Sequence, residues 1–496
     1  MKKIAKMSFL AVIFCFFAFF GVSCAKNDIK TASKNLTSYS IVASFDDEKK
    51  MVFATEKILY INQTGVALES LYFHLYPRAF REGAVVKPYT SLTFASCFPN
   101  GASYGDMNIT SVLVKNKNSD FEFAGEDEDI LKVNFDEALA AKKSIQIDID
   151  YELVIPNSTH RLGWFDESVN LGNWYPVVAE FINGEFELSP YYATGDPFCS
   201  AVANYEVDFI YPSNYEIVST GQKNTTQNNE KKRTKITAKA VRDFAISMSA
   251  NSKTIESKNL SPKITLLTDD DTSVAGIIEL ATDAINFFSK QFGKYPYKTL
   301  SIAKTPFIFG GMEYPNLVLL SNSIDDEVEM KKVIVHEIAH QWWYAVVGNN
   351  EIKEAWLDES LSEYSTALFF EHNPKYGISY EDFVGEATSS YELYVDVIQT
   401  LKGAVNTKMN LAVNEYQNDY EYSYMVYVKG VIMFDSLKNM VGEKSVVAGL
   451  KKYYESNKFK IATAEDFFNA FHSACHKDLK NFFDGFLNGT AIISTI

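Results

Sequence analysis

His336-Glu337-Ile338-Ala339-His340, followed after a gap of eighteen residues by Glu359 within Trp356-Leu357-Asp358-Glu359-Ser360, are the side chains a protein needs to hold one zinc ion and hydrolyse a peptide with it. On a helix, two histidines four residues apart share a face. A rise of ~1.5 Å per residue separates them by roughly 6 Å, so their ring nitrogens can converge on one cation at ~2.0–2.1 Å. Glu337 projects beside that point without being a ligand. A carboxylate there can take a proton from water whose pKa the metal has lowered to about 7. Two histidines and one carboxylate make a catalytic rather than a structural zinc site, because the fourth position stays open to water and substrate. Glu359 is the leading candidate for the third ligand.

Two elements must position these groups. Val333, Ile334, Val335, Ile338, Ala339, Trp342 and Trp343 recur at helical spacing and predict a largely buried helix from about 329 to 346. A second helical pattern, Leu357 through Phe370, carries Glu359 and can fold back antiparallel onto the first. Glu363 lies one turn beyond Glu359, where it could accept a hydrogen bond from the far nitrogen of His336; a solvated helix face explains a glutamate there equally well. The other five histidines, at 74, 160, 372, 472 and 476, are scattered. His472, Cys475 and His476 have no partner cluster elsewhere and read as surface and packing residues.

The spacing of the motif and its Trp-Leu-Asp-Glu context resemble the gluzincin zinc aminopeptidases of the aminopeptidase N type. Further pieces agree. Gly310-Gly311-Met312-Glu313-Tyr314-Pro315 is similar to the family's Gly-x-Met-Glu-Asn strand, and Tyr427-Val428-Lys429-Gly430 to its Tyr-x-Lys-Gly helix start. The similarity reaches outward to Phe292-Gly293-Lys294-Tyr295-Pro296-Tyr297, Val241-Arg242-Asp243-Phe244 and Phe73-His74-Leu75-Tyr76-Pro77. The resemblance implies an all-β, saddle-like N-terminal domain followed by a thermolysin-like mixed catalytic domain. It also implies that Gly310, Gly311, Met312 and Glu313 bind substrate, with Glu313 facing a peptide's positively charged amino terminus. Two glycines leave an edge strand free to pair its backbone with an extended peptide; an ordinary turn is the alternative. Tyr427 would stabilise the tetrahedral intermediate by a hydrogen bond that strengthens as charge grows on the carbonyl oxygen, with Tyr422 the runner-up among several nearby tyrosines. The family's asparagine is Tyr314 here, and no second residue gripping the amine stands out.

Composition sets the bounds. A formal charge of −16 argues against nucleic acid, whose binding needs a basic surface. Lys2, Lys3 and Lys6 before an apolar run from Met7 to Ser23 predict a secretory signal, with an uncleaved anchor as the alternative. Gly21-Val22-Ser23-Cys24 suggests a bacterial lipoprotein site with Cys24 acylated; cleavage after Ala25 is the rival. Residues 1–24 are thus expected to be a leader, and the protein to be exported and lipid-anchored on the cell envelope. Cys97, Cys199 and Cys475 allow at most one disulfide, so no disulfide framework holds the fold.

Ile145, Ile147, Ile149, Tyr151, Leu153 and Ile155 are apolar at every second position, and Tyr39-Ile41-Ala43-Phe45 and Val207-Phe209-Tyr211 repeat the pattern. A β domain over 25–255 follows. From 256 to 496 the pattern changes to one short strand region and then helices, beginning with Ala275 to Phe292 and a Gly293 stop. Larger family members carry a further helical domain, and no length remains for one, so a more open cleft is expected. The expected function is a zinc metallopeptidase trimming amino termini of peptides. An endopeptidase with the same zinc site, or an inactive peptide-binding surface lipoprotein, are the alternatives.

Overall fold

The computed structural model describes residues 29–270, 274–491 and 493. The predicted leader, including Cys24, lies outside them. The N-terminal part is built on an eight-stranded sheet. Ser38–Asp46 lies at its centre, antiparallel to Met51–Ile61 and parallel to Ala203–Pro212, and Ser144–Val154 pairs with the far side of Met51–Ile61. The alternation seen in the sequence is the cause: Tyr39, Ile41, Ala43 and Phe45 face inward with Ile145, Ile147, Ile149, Tyr151 and Leu153, and the intervening residues, polar except for Val42 and Val154, face out. Two four-stranded sheets and a two-stranded ribbon, Phe181–Ile182 with Glu185–Phe186, complete this β-rich part among the described residues.

One inward position breaks the pattern. Glu56 sits in register with Val52, Ala54, Ile58 and Tyr60, fully buried, and neither carboxyl oxygen has a hydrogen-bond partner. Burial raises its carboxyl well above the ordinary range. The fold therefore keeps a proton that the unfolded chain releases near pH 4.3, and stability is lost as pH rises from there toward the folded pKa. Glu56→Met is expected to stabilise the protein at pH 8 by about 1–3 kcal/mol, with the gain shrinking toward pH 4. Denaturant midpoints at the two pH values check this; equal midpoint differences at both would contradict it.

The second part contains more strand than the sequence pattern suggested. In place of one short strand region there is a five-stranded mixed sheet, ordered Lys253–Glu256, Lys263–Thr268, Thr299–Thr305, Leu317–Ser321 and Gly311–Met312. Lys253–Glu256 runs across the expected 255/256 division and pairs with Lys263–Thr268. The next two pairings are parallel, and their central strands are buried on both faces, so they lack the alternation that marks a half-exposed strand. Val274–Gln291 is the crossover helix, burying Ile277, Leu280, Ala281, Ala284, Ile285 and Phe288, and the chain turns at Gly293, whose φ of 146° favours glycine. Gly311–Met312 is the sheet's edge, antiparallel to Leu317–Ser321.

The histidine helix runs over Glu327–Ala339, capped by Asp326, whose carboxylate accepts from Glu329 N at 2.8 Å. It ends seven residues before the expected 346. The two tryptophans are buried as expected, but by a turn rather than another helical coil. Trp342 Nε1 donates to Gly293 O at 2.8 Å, Trp343 Nε1 donates to Ser365 Oγ at 2.9 Å, and Tyr344 adopts φ 135°. Arg242, itself buried, holds that turn by donating to Tyr344 O at 2.8 Å and to Lys460 O at 2.9 Å. Trp356–His372, the second predicted helix, packs against the first. Cys97, Cys199 and Cys475 are all free thiols.

Candidate metal centre and substrate cleft

Both histidine rings turn toward Glu359. Glu359 Oε2 lies 3.2 Å from His336 Nε2 and 3.1 Å from His340 Nε2, and the two Nε2 atoms are 2.9 Å apart. Three donors each ~2.0–2.1 Å from a shared tetrahedral centre stand about 3.3–3.4 Å from one another, so this trio fits a zinc ion with little adjustment. The outer nitrogens each face an oxygen, with a hydrogen bond at His340 and an ion-pair distance without hydrogen-bond alignment at His336. His340 Nδ1 is 3.0 Å from Trp343 O, which fixes the tautomer that leaves Nε2 free, and the early end of the helix is what places that carbonyl there. His336 Nδ1 is 3.1 Å from Glu363 Oε1, the neighbour the helical spacing suggested.

The electrostatics ask for a cation. Burial alone would lower both imidazoles, yet Glu359 and Glu363 raise His336 well above its ordinary value, and Glu313 and Glu359 push His340 up to about 10. Burial would raise Glu359, and the two rings instead hold it well below the usual carboxylate range.

Glu337 stands on the same helix over the edge strand. A Cβ on Gly311 would meet its carboxyl at 2.4 Å, so the strand approaches this close only because residue 311 has no side chain. Burial pushes Glu337 up to about 7, and its Oε2 has no partner within the protein. Gly310 lies against Val333, one turn earlier on the helix. Gly311 therefore opens an edge strand, and Gly310 is the bend that leads into it, its carbonyl accepting from Ser321 N at 3.0 Å. Met312 is buried, with Arg161 Nε 3.0 Å from its sulfur.

Glu313 follows at the end of that strand, 4 % exposed, with Oε1 unpartnered. Burial first, then the neighbouring Asp196 carboxylate, raise it well above its ordinary value. Asp196, Glu313 and Glu359 each place a carboxylate oxygen within 4.8 Å of the others. Arg161 pairs with Asp196, so that charge is balanced and Glu313 is not. Gln341, the residue after His340, ties the strand to the helix: its Nε2 donates to Glu313 O at 3.3 Å and Tyr314 O at 3.2 Å, and its Oε1 accepts from Asn316 N at 2.9 Å. Tyr314 turns away from the cleft, its hydroxyl donating to Asn173 Oδ1 at 3.2 Å.

Tyr427 enters from the opposite wall on a π-helical turn, Tyr424–Val428, and its hydroxyl donates to Glu359 Oε1. Lys429 and Gly430 explain the sequence after it. Lys429 is buried, which pulls its ammonium down to about 8, and it donates to Thr407 O at 2.5 Å and Phe486 O at 2.8 Å, clasping the last helix. Gly430 abuts Ser360; a Cβ there would lie 2.5 Å from the serine Cβ. The tyrosine's helix can thus press against the helix of Glu359. Tyr422 also borders the cleft, but its buried hydroxyl has no partner and lies against Gly195. His336, Glu337, His340, Glu359, Gly310, Gly311, Glu313, Asp196 and Tyr427 line one cleft of about 690 Å³, whereas Met312 lies behind the strand and outside that lining.

Residues 277–486 match the Peptidase family M1 domain. The chain is 28 % identical over 216 residues to aminopeptidase N of Lactobacillus helveticus, covering 41 % of this chain and 25 % of that protein. It is 30 % identical over 207 residues to aminopeptidase B of Mus musculus, covering 39 % and 30 %. The chain thus spans about a quarter to a third of these curated relatives. In fold, an M1 zinc metallopeptidase from Deinococcus radiodurans superposes with a TM-score of 0.64 at 12 % identity, over 92 % of this chain and 94 % of that one. The β-rich part and the segment that follows it therefore together share the fold of that structure.

Asp196 and Arg161 lie outside the segment matched as the M1 domain, and Asp196 was not legible in the sequence. Thr194-Gly195-Asp196-Pro197 looks like a turn, and only packing of the β-rich part on that segment carries its carboxylate to Glu313. Gln341 was missed as well, although its position directly after the second histidine was a usable signal.

Proposed function

We propose that this protein is a zinc-dependent aminopeptidase. The observation that carries the reading is Glu313: a buried carboxylate with an unpartnered oxygen, at the end of an edge strand that runs alongside Glu337. Burial and Asp196 hold this carboxyl against ionising, and a peptide's ammonium group supplies the opposite charge that lets it ionise. His336, His340 and Glu359 would hold the zinc. When bound, zinc polarises the scissile carbonyl and lowers the pKa of water to about 7.

The chain's own groups do the rest. Glu313, with Asp196 beside it, accepts the ammonium N–H bonds and sets the first residue in place. The Gly311–Met312 edge supplies backbone partners to an extended peptide. Glu337 takes a proton as water oxygen bonds to the carbonyl carbon, then returns it to the nitrogen as the C–N bond breaks. Tyr427 borders the same space and can turn its hydroxyl from Glu359 to the substrate oxygen as charge develops there.

Acetylating the amino terminus tests the reading. Acetylated aminoacyl fluorogenic substrates are expected to lose at least about 100-fold in kcat/KM relative to their free-amine counterparts, and a zinc chelator to abolish turnover of both. Undiminished cleavage of the acetylated series would favour the endopeptidase alternative.

The envelope location is proposed on the leader alone: three lysines, an apolar run and Cys24. Labelled palmitate is expected to enter the wild-type protein and not Cys24→Ala, which would leave the membrane fraction.

A further inference from the structure

Resting on the aminopeptidase reading, we propose that Lys332 recognises the free carboxylate of a tripeptide, making the cleft a ruler for short peptides. The edge strand and the histidine helix run side by side in a fixed register. Gln341 touches Glu313, Glu337 covers Gly311, and Val333 covers Gly310. A substrate whose amine is held at Glu313 and whose carbonyl lies by Glu337 must continue toward Gly310 and Val333. That direction is antiparallel to the edge strand.

The lengths agree. Three extended residues span about 10 Å. Of that span, the two residues after the carbonyl beside Glu337 cover about 7 Å, and on the helix from Glu337 back to Lys332 is five residues, about 7.5 Å at ~1.5 Å each, with both side chains tilted the same way along the axis. The third residue's carboxylate thus arrives beside Lys332. A dipeptide falls short by one residue, and a longer chain places an uncharged peptide group there.

Lys332 suits that role by charge as well as by place. It lines the cleft one helical turn before His336, its side chain 21 % exposed, with its ammonium 5.2 Å from the centre of the Phe383 ring. Arg161 also lines the cleft, but it is committed to Asp196. Glu329, Glu363 and Glu386 surround this end and would repel a carboxylate without the lysine. Glu386 already shows what the ammonium accepts. Its Oε2 lies 2.7 Å from Lys332 Nζ, on a side chain 66 % exposed. Surface pairs of this kind contribute about 0–1 kcal/mol, so an incoming carboxylate can replace it.

Binding to the zinc-loaded Glu337→Gln protein, which does not turn over its ligand, gives the test by calorimetry. Trialanine is expected to bind about tenfold more tightly than trialanine amide. In Glu337→Gln/Lys332→Gln that ratio falls to about one, and Glu386→Gln in place of the lysine change widens it. Equal affinity for acid and amide, no measurable binding of the acid, or a ratio untouched by Lys332→Gln overturns the proposal. N-acetyltrialanine separates the two readings: if it binds as tightly as trialanine, the amine-recognition reading fails whatever the lysine does.

Discussion

Glu337→Gln is expected to lower kcat by about 10²–10⁴-fold while leaving one zinc bound per chain. The size of the loss follows from what the substitution keeps. Glutamine has the same shape, so the close packing against Gly311 survives, and none of the three atoms that converge on the metal is altered. What disappears is a group able to take a proton and give it back. Glu337 Oε2 has no partner within the protein, so no internal hydrogen bond is lost that could confuse the result with unfolding. Steady-state kinetics on an aminoacyl anilide, with metal content and melting temperature measured on the same sample, check the outcome. A kcat within tenfold of wild type at full zinc content would remove Glu337 from the chemistry.

What could be read from the sequence and what could not divide along a physical line. His336, His340, Glu359 and Glu363 lie on two helices whose 3.6-residue period fixes which side chains share a face, so spacing alone brings their ligand atoms together. The strands of the β-rich part were legible for the same reason, with a period of two. Local pattern fails where one residue serves two packing rules. Trp342 and Trp343 continue the apolar stripe of the histidine helix, yet they are buried by a turn pinned from Arg242 over a hundred positions away. The central strands Lys263–Thr268 and Leu317–Ser321 are buried on both faces and so present no alternation. Asp196 is the extreme case: its role depends on Glu313, more than a hundred residues distant, and no local spacing encodes that meeting.

That meeting sets the largest expected change in selectivity. Glu313→Gln is expected to cut kcat/KM for free-amine substrates by about 10²–10³-fold, because it removes the carboxyl able to ionise against the ammonium and leaves beside it Asp196, which is already paired with Arg161. For acetylated substrates the same change should cost little, since no ammonium is present to lose its partner. The preference for a free amine therefore collapses, and that ratio is the quantity to measure. Asp196→Asn should behave differently. Its carboxylate balances a buried guanidinium, so removing it strands that charge and destabilises the fold by about 3–5 kcal/mol, besides weakening amine binding. If Glu313→Gln left the ratio of free to acetylated substrate unchanged while the protein remained folded and zinc-loaded, the amine would have to be held elsewhere, and the edge strand would be positioning an internal peptide bond instead of an amino terminus.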